Sequence, residues 1–313
     1  MPDLDLAGLI PAVVTPMHKD GRIDDEALRL YARWLLAFDG LMAVAVNMDT
    51  GEGAQLFPHE RRRVLDVWLE EAAGRVPILV GVGGHTDLAC DIARDAMHAG
   101  VNGQVIFPHP VFAGEPESPD VIYEYNAAIA EATGLPTVVF QLQPSLGGVL
   151  FSSETLLRLA SIPNVVAIKE ASFDAVRFVE TVRILNEAPR RIQILTGNDN
   201  FILESFLLGA DGALIGFGTL AVAEQIEMIR LVKDGKLAEA RAIYDATVQP
   251  LVSTIFAPPV RDYRARTKAA LAELGVIENA TVRRPLLDLS DAERAKVGDA
   301  VRRANLQPAG VRA

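Results

Sequence analysis

Short apolar runs recur along the chain, each bounded by glycine, proline or small polar residues, and between them lie stretches whose apolar positions fall near helical spacing. The runs occupy 8–16, 41–47, 76–82, 104–107, 136–141, 165–169, 192–195 and 213–215. None alternates cleanly between apolar and polar residues, as a strand with one wet face would, so each reads as a strand covered on both sides. Helical stretches begin at Asp24, Pro58, Thr86, Pro119, Ser153, Ala175, Asn200 and Ala221. The first carries Leu28, Leu30, Tyr31, Trp34 and Leu35 near helical spacing, and Gly100 and Gly134 suit the C-terminal caps of the third and fourth. Eight strand–helix units in about 230 residues predict a (β/α)8 barrel, the TIM-barrel form of the α/β class. An open doubly wound sheet fits less well, because the Gly-x-Gly-x-x-Gly turn expected after its first strand is absent.

Beyond the eighth helix, helical patterns at 237–255, 260–274 and 291–304 predict a C-terminal helical extension packed on the barrel, with Ala257-Pro258-Pro259 breaking the first from the second. The chain therefore divides into a barrel, 1–235, and an extension, 236–313, whose last residues, 307–313, read as frayed.

Composition narrows the function classes. The formal charge of −11 argues against a general nucleic-acid binder, which would need a basic face. A single cysteine, Cys90, allows neither an intrachain disulfide nor a cysteine metal cluster, and its helical position reads as packing. The start, Met1-Pro2-Asp3-Leu4-Asp5, lacks the layout of a signal peptide, and no apolar run approaches the roughly 20 residues of a membrane span. The expectation is a cytoplasmic protein with no membrane or nucleic-acid partner. Glu60-Arg61-Arg62-Arg63 reads as a solvated helix face.

In a barrel, reactive groups sit at the C-terminal ends of the strands. Lys169 ends the run Val165-Val166-Ala167-Ile168. An ammonium ion there is costly, and a lysine that gives up its proton easily is a nucleophile able to form a Schiff base. The plain alternative is a strand-end lysine that reaches water. At the same end fall Thr15-Pro16, Asn47 with Asp49-Thr50-Gly51-Glu52, Thr196-Gly197-Asn198-Asp199 and Gly216-Phe217-Gly218-Thr219.

In their order and spacing the first three of these segments, together with Gly212-Ala213-Leu214-Ile215-Gly216, resemble the dihydrodipicolinate synthase/N-acetylneuraminate lyase family. So do Val82-Gly83-Gly84-His85-Thr86, Ala167-Ile168-Lys169-Glu170-Ala171-Ser172, the helix from Tyr263 to Gly275 and Arg283-Arg284-Pro285-Leu286. The resemblance implies that Lys169 condenses with the keto carbon of pyruvate or another 2-keto acid. It also implies that Thr50 and Gly51 hold the substrate carboxylate, and that Gln141, Asn198, Ile215 and Gly216 complete the substrate-binding set. No metal or organic cofactor is implied, and assembly as a homodimer or homotetramer is.

The chain departs from that family at its proton relay. Phe140, or Gln141 if the strand shifts by one, stands where the family has a tyrosine, and Asp49 stands at the first threonine of the loop. Phe107-Pro108-His109-Pro110-Val111 offers no tyrosine for a neighbouring subunit, and Pro144-Ser145-Leu146-Gly147-Gly148 lacks the family's substrate-binding arginine. The expected catalytic positions are therefore Lys169, Asp49 and Phe140, with His109 as a further titratable candidate. The resemblance points to a class I lyase, an aldolase or dehydratase, rather than to the synthase reaction itself. The competing expectation is a catalytically degenerate barrel that binds a small carboxylic acid as a sensor or partner subunit.

Overall fold

Parallel strands buried on both faces need helices on one side and each other's side chains on the other, and the chain meets both needs by closing its sheet. The structure, a computed structural model, describes residues 4–114 and 116–306. Its strands are β1 (Leu9–Pro11), β2 (Val44–Val46), β3 (Ile78–Val82), β4 (Gly103–Ile106), β5 (Thr137–Leu142), β6 (Val165–Ala171), β7 (Gln193–Thr196) and β8 (Gly212–Ile215). All pair in parallel in the order β1-β8-β7-β6-β5-β4-β3-β2. Bridges Leu9–Leu41 and Ala12–Ala45 then bring β1 against β2 and complete the barrel.

The barrel helices are α1 (Asp25–Leu35), α2 (Pro58–Ala72), α3 (Thr86–Ala99), α4 (Pro119–Thr133), α5 (Ser153–Ser161), α6 (Ala175–Asn186), α7 (Ile202–Leu207) and α8 (Val222–Lys233). Asp24, Ser152 and Asp174 start α1, α5 and α6 by accepting backbone N–H bonds that the first turn leaves unpaired. Two separate apolar cores follow from closure. One fills the barrel with Ile10, Ala45, Leu79, Val105, Val138, Ala167, Leu195 and Leu214; the other lies between strands and helices.

The extension comprises α9 (Leu237–Ile243), α10 (Gln249–Ile255), α11 (Tyr263–Glu273) and α12 (Asp291–Ala304). A π-helical turn, Tyr244–Val248, joins α9 to α10. Every residue of α11 from Tyr263 to Leu271 is buried, Arg264, Arg266 and Lys268 included. A helix buried all round cannot leave such charges unpaired. Arg264 is bonded to Asp49 and Lys268 to Glu52, both in the loop after β2, while Arg266 reaches the Ala257 carbonyl. The extension thus lies over the mouth of the barrel beside β2.

Two sequence expectations change. Arg61 is not on a solvated face: it donates to the carbonyls of Gly53 and Gly81, both at 2.6 Å, beneath the β2 loop, and Glu60 pairs with Arg283. Arg62 and Arg63 do form surface ion pairs. The segment expected to fray, 307–313, lies outside the described residues. Among the described residues no helix is long and apolar enough to cross a membrane.

Candidate active site

The period-two alternation of a strand decides which side chains enter the barrel. On β5, Val138, Phe140 and Leu142 belong to the interior core; on β6, Ala167 and Ala171 do, and Lys169 shares their parity. Phe140 and Lys169 are register partners, and the Lys169 ammonium nitrogen lies 4.2 Å from the centre of the Phe140 ring. Phe107, beyond β4, meets Phe140 edge to face at 5.2 Å. An aromatic pair therefore occupies the position beside the amine.

Lys169 opens into a narrow slot of about 30 Å3, shared with Asp49, Thr50, Leu142, Leu146, Phe173, Gly197, Asp199, Gly216, Phe256 and Tyr263. A Cβ on Gly197 would come within 2.8 Å of the Lys169 Cε, so glycine there leaves room for the lysine stem. Burial pushes the Lys169 amine below the usual lysine range, and the carboxylates of Asp199 and Asp49 oppose that shift only in part. Asp199, also buried, is pushed above the usual carboxylate range by the same desolvation, against the pull of the Phe217 N–H at 2.8 Å and of Lys169. The slot thus sets an amine less basic than a free lysine beside a carboxyl less acidic than a free aspartate.

The opposite wall is polar and comes from two distant parts of the chain. The Tyr263 hydroxyl, at the start of α11, donates to Asp49 Oδ2 at 3.0 Å and lies 3.3 Å from Thr50 Oγ1. Asp49 is also gripped by Arg264, whose Nη2 bonds the carboxylate and whose Nε donates to the Asp49 carbonyl at 2.9 Å. Below it, Glu52 sits in the left-handed region (φ 58°), fully buried against Lys268, with a second oxygen accepting the Arg283 N–H at 2.6 Å. Two larger cavities are present: one of about 460 Å3 between the β2 loop and Gly83-Gly84, which adjoins the slot through Asp49, Leu142 and Leu146, and one of about 660 Å3 around His85, His109 and Tyr125. Neither is lined by Lys169.

The model of the dihydrodipicolinate synthetase family matches residues 5–304. The chain belongs to that family. The 4-hydroxy-tetrahydrodipicolinate synthase of Neisseria meningitidis serogroup B is 33% identical over 301 residues, covering 95% of this chain and 98% of that protein. Among solved structures, the chloride-inhibited dihydrodipicolinate synthase of Acinetobacter baumannii complexed with pyruvate superimposes with a TM-score of 0.84 at 27% identity, covering 96% of this chain and 99% of that one. The dihydrodipicolinate synthase of Thermotoga maritima gives 0.86 at 27% identity, with 96% and 99% covered. Enzymes of the dihydrodipicolinate synthetase family form a lysine Schiff base with pyruvate and need no cofactor.

Within this family member, the residues expected at the site divide. Lys169, Asp49, Phe140, Thr50 and Gly216 line one slot. Gly51 lies against the strand-one end, its carbonyl accepting from Thr15 Oγ1 at 2.8 Å. Gln141 is a correction: its parity turns it out of the barrel, where it donates to Glu170 and Thr181 and accepts the Phe151 N–H. Ile215 also faces the outer core, and its carbonyl accepts the Ala12 N–H.

Asn198 is buried behind the slot rather than in it. It donates to Glu170 Oε2 and accepts the Phe173 N–H, both at 2.6 Å, and so holds Phe173 in the left-handed region (φ 60°), a costly conformation for a bulky residue. His109 accepts the Val111 N–H at 3.1 Å and belongs to the cavity around His85, not to the slot. The sequence reading missed Phe173, Phe256 and Tyr263 as lining residues. Leu142 was recoverable from strand parity; Tyr263 had no local signal.

Proposed function

We propose that the protein is a Schiff-base-forming lyase of the class I aldolase type, acting on pyruvate or another 2-keto acid through Lys169. The observation that carries this reading is the buried amine of Lys169, held below its usual basicity and open to a slot that also contains Asp49, Thr50, Asp199 and Tyr263. The uncharged amine attacks the keto carbon, and the carbinolamine leaves water and an iminium ion. That cation accepts the electrons released when a C3–H or C3–C4 bond breaks. The Thr50 hydroxyl and the backbone N–H groups of Thr50 and Gly51 are assigned to the substrate carboxylate.

The rest of the slot supports an uncharged remainder on the substrate. Its outer wall is Leu142, Leu146, Phe173 and Phe256, and among the described residues that line it Lys169 is the one cation. Arg264, whose guanidinium reaches the β2 loop from α11, is engaged by Asp49. The synthase activity named for the relatives is not assigned to this chain, because Phe140 replaces the family's β5 tyrosine and 144–148 carries no basic residue for a second carboxylate. Assembly as a homodimer or homotetramer belongs to the same proposal, and sedimentation equilibrium checks it.

A panel of keto acids reduced with borohydride tests the reading by intact mass. Pyruvate and monocarboxylic acids with alkyl or aryl tails are expected to leave one adduct, and dicarboxylic keto acids little or none. Absence of an adduct with every member of the panel contradicts the lyase reading and favours the binding-only barrel.

A further inference from the structure

We propose that Tyr263 carries the proton in the Schiff-base steps, handing it to Asp49, so that the extension supplies within one chain the relay that β5 lacks. This rests on the lyase reading above. Phe140 faces the amine but has no exchangeable hydrogen, and Phe107 packs against it. Tyr263 lines the same slot as Lys169 and donates to Asp49 Oδ2 at 3.0 Å.

Several contacts fix the tyrosine in place. Its ring stacks on Phe256, centroids 4.8 Å apart and planes 19° from parallel. Gly216 passes beneath it: a Cβ there would come within 3.1 Å of both Tyr263 Cε2 and Thr50 Oγ1, so the glycine keeps that approach open. Arg264 orients the acceptor through two bonds to Asp49, and Lys268–Glu52 pins α11 to the loop one helical turn further along.

Burial keeps the phenol neutral, its acidity held far from the physiological range. The group therefore does not act as a phenolate. It works as a two-sided conduit: as the C3–H bond of the pyruvate iminium breaks, its proton goes to Tyr263 Oη while the hydroxyl proton moves to Asp49 Oδ2. The C–H electron pair becomes the C2=C3 bond, and the C=N π pair returns to nitrogen. Tyr263 ends unchanged, Asp49 is protonated and the iminium becomes a neutral enamine. The same path run backwards returns the proton before hydrolysis releases the product. Tyr263 touches the reacting carbon; Arg264 is a positioning residue.

The test uses the full chain with pyruvate in D2O, reading hydrogen–deuterium exchange at C3 by NMR and the reduced adduct by mass on the same sample. Tyr263→Phe keeps the stacking ring and is expected to retain the adduct at equilibrium while exchange slows about 100-fold or more, the usual range for a lost acid–base group. Asp49→Asn is expected to slow exchange similarly, and the double variant no further than either single, because the two act as one unit. Exchange within tenfold of wild type in Tyr263→Phe overturns the proposal. So does a loss of adduct that matches the loss of exchange, which marks the tyrosine as structural. If wild type itself forms no adduct, the lyase reading fails first and takes this one with it.

Discussion

On one side of the slot, β5 and β6 present Phe140, Leu142, Ala171 and the amine of Lys169; on the other, the β2 loop and α11 present Asp49, Thr50 and Tyr263, with Arg264 bonded to Asp49 behind them. The first wall is apolar apart from the one nitrogen, and its lack of partners is what makes that nitrogen easy to deprotonate. The second is a closed network in which hydroxyl, carboxylate and guanidinium satisfy one another. Separating the two lets the amine stay reactive while proton traffic runs through groups held still by ion pairs. The nucleophile is activated by what surrounds it, and the relay by what it is bonded to.

Removing the amine should break the first wall outright. Lys169→Met is expected to abolish the borohydride adduct altogether and to stabilise the fold near neutral pH. The sign follows from linkage: a lysine whose folded pKa lies below its unfolded value of 10.5 favours folding least at low pH. The stability gap between variant and wild type should therefore widen as pH falls from that value through the folded pKa, then level off. Urea denaturation across pH 7 to about 10 checks it; a gap that stays flat or narrows on acidification places the amine in water.

Lys268→Met breaks the second wall at its foot. It leaves the Glu52 carboxylate buried without its cation, at an expected loss of about 3–5 kcal/mol. Replacing both Glu52 and Lys268 by apolar residues should recover much of that loss. A loss under about 1 kcal/mol for the single variant, the range of exposed pairs, argues that water reaches the pair.

Gln141→Leu separates position from parity. The side chain lies behind β5, so keto-acid affinity in a titration should be unchanged while stability falls by about 1–3 kcal/mol from the orphaned Glu170 and Phe151 groups. Weakened binding at unchanged stability would return Gln141 to the substrate set. The smallest effect is expected from Asp199→Asn. That carboxylate raises the basicity of Lys169, so its loss should move the pH midpoint of adduct formation downward. A midpoint that moves up contradicts the electrostatic account of the slot.

What could be read from the sequence differs along the same line. Lys169 lay at the end of a local apolar run, and the succession of eight such runs gave away the barrel, because burial on both faces leaves its mark residue by residue. Whether Phe140 or Gln141 entered the barrel needed the register of β5 against β6, which pairs Phe140 with Lys169. Arg61 looked solvated because a charge run says nothing about the carbonyls of Gly53 and Gly81 that receive it. Phe173 carried no glycine or asparagine signal for its left-handed turn; Asn198, from another strand end, imposes it. Tyr263 meets Asp49 across 214 residues of chain, and no local pattern encodes such a contact.

The most direct test is peptide mapping after pyruvate and borohydride. The account predicts one reduced pyruvate, on the peptide that carries Lys169, in wild type and none in Lys169→Met. A chain left unlabelled at saturating pyruvate, or labelled equally well without that lysine, would contradict it.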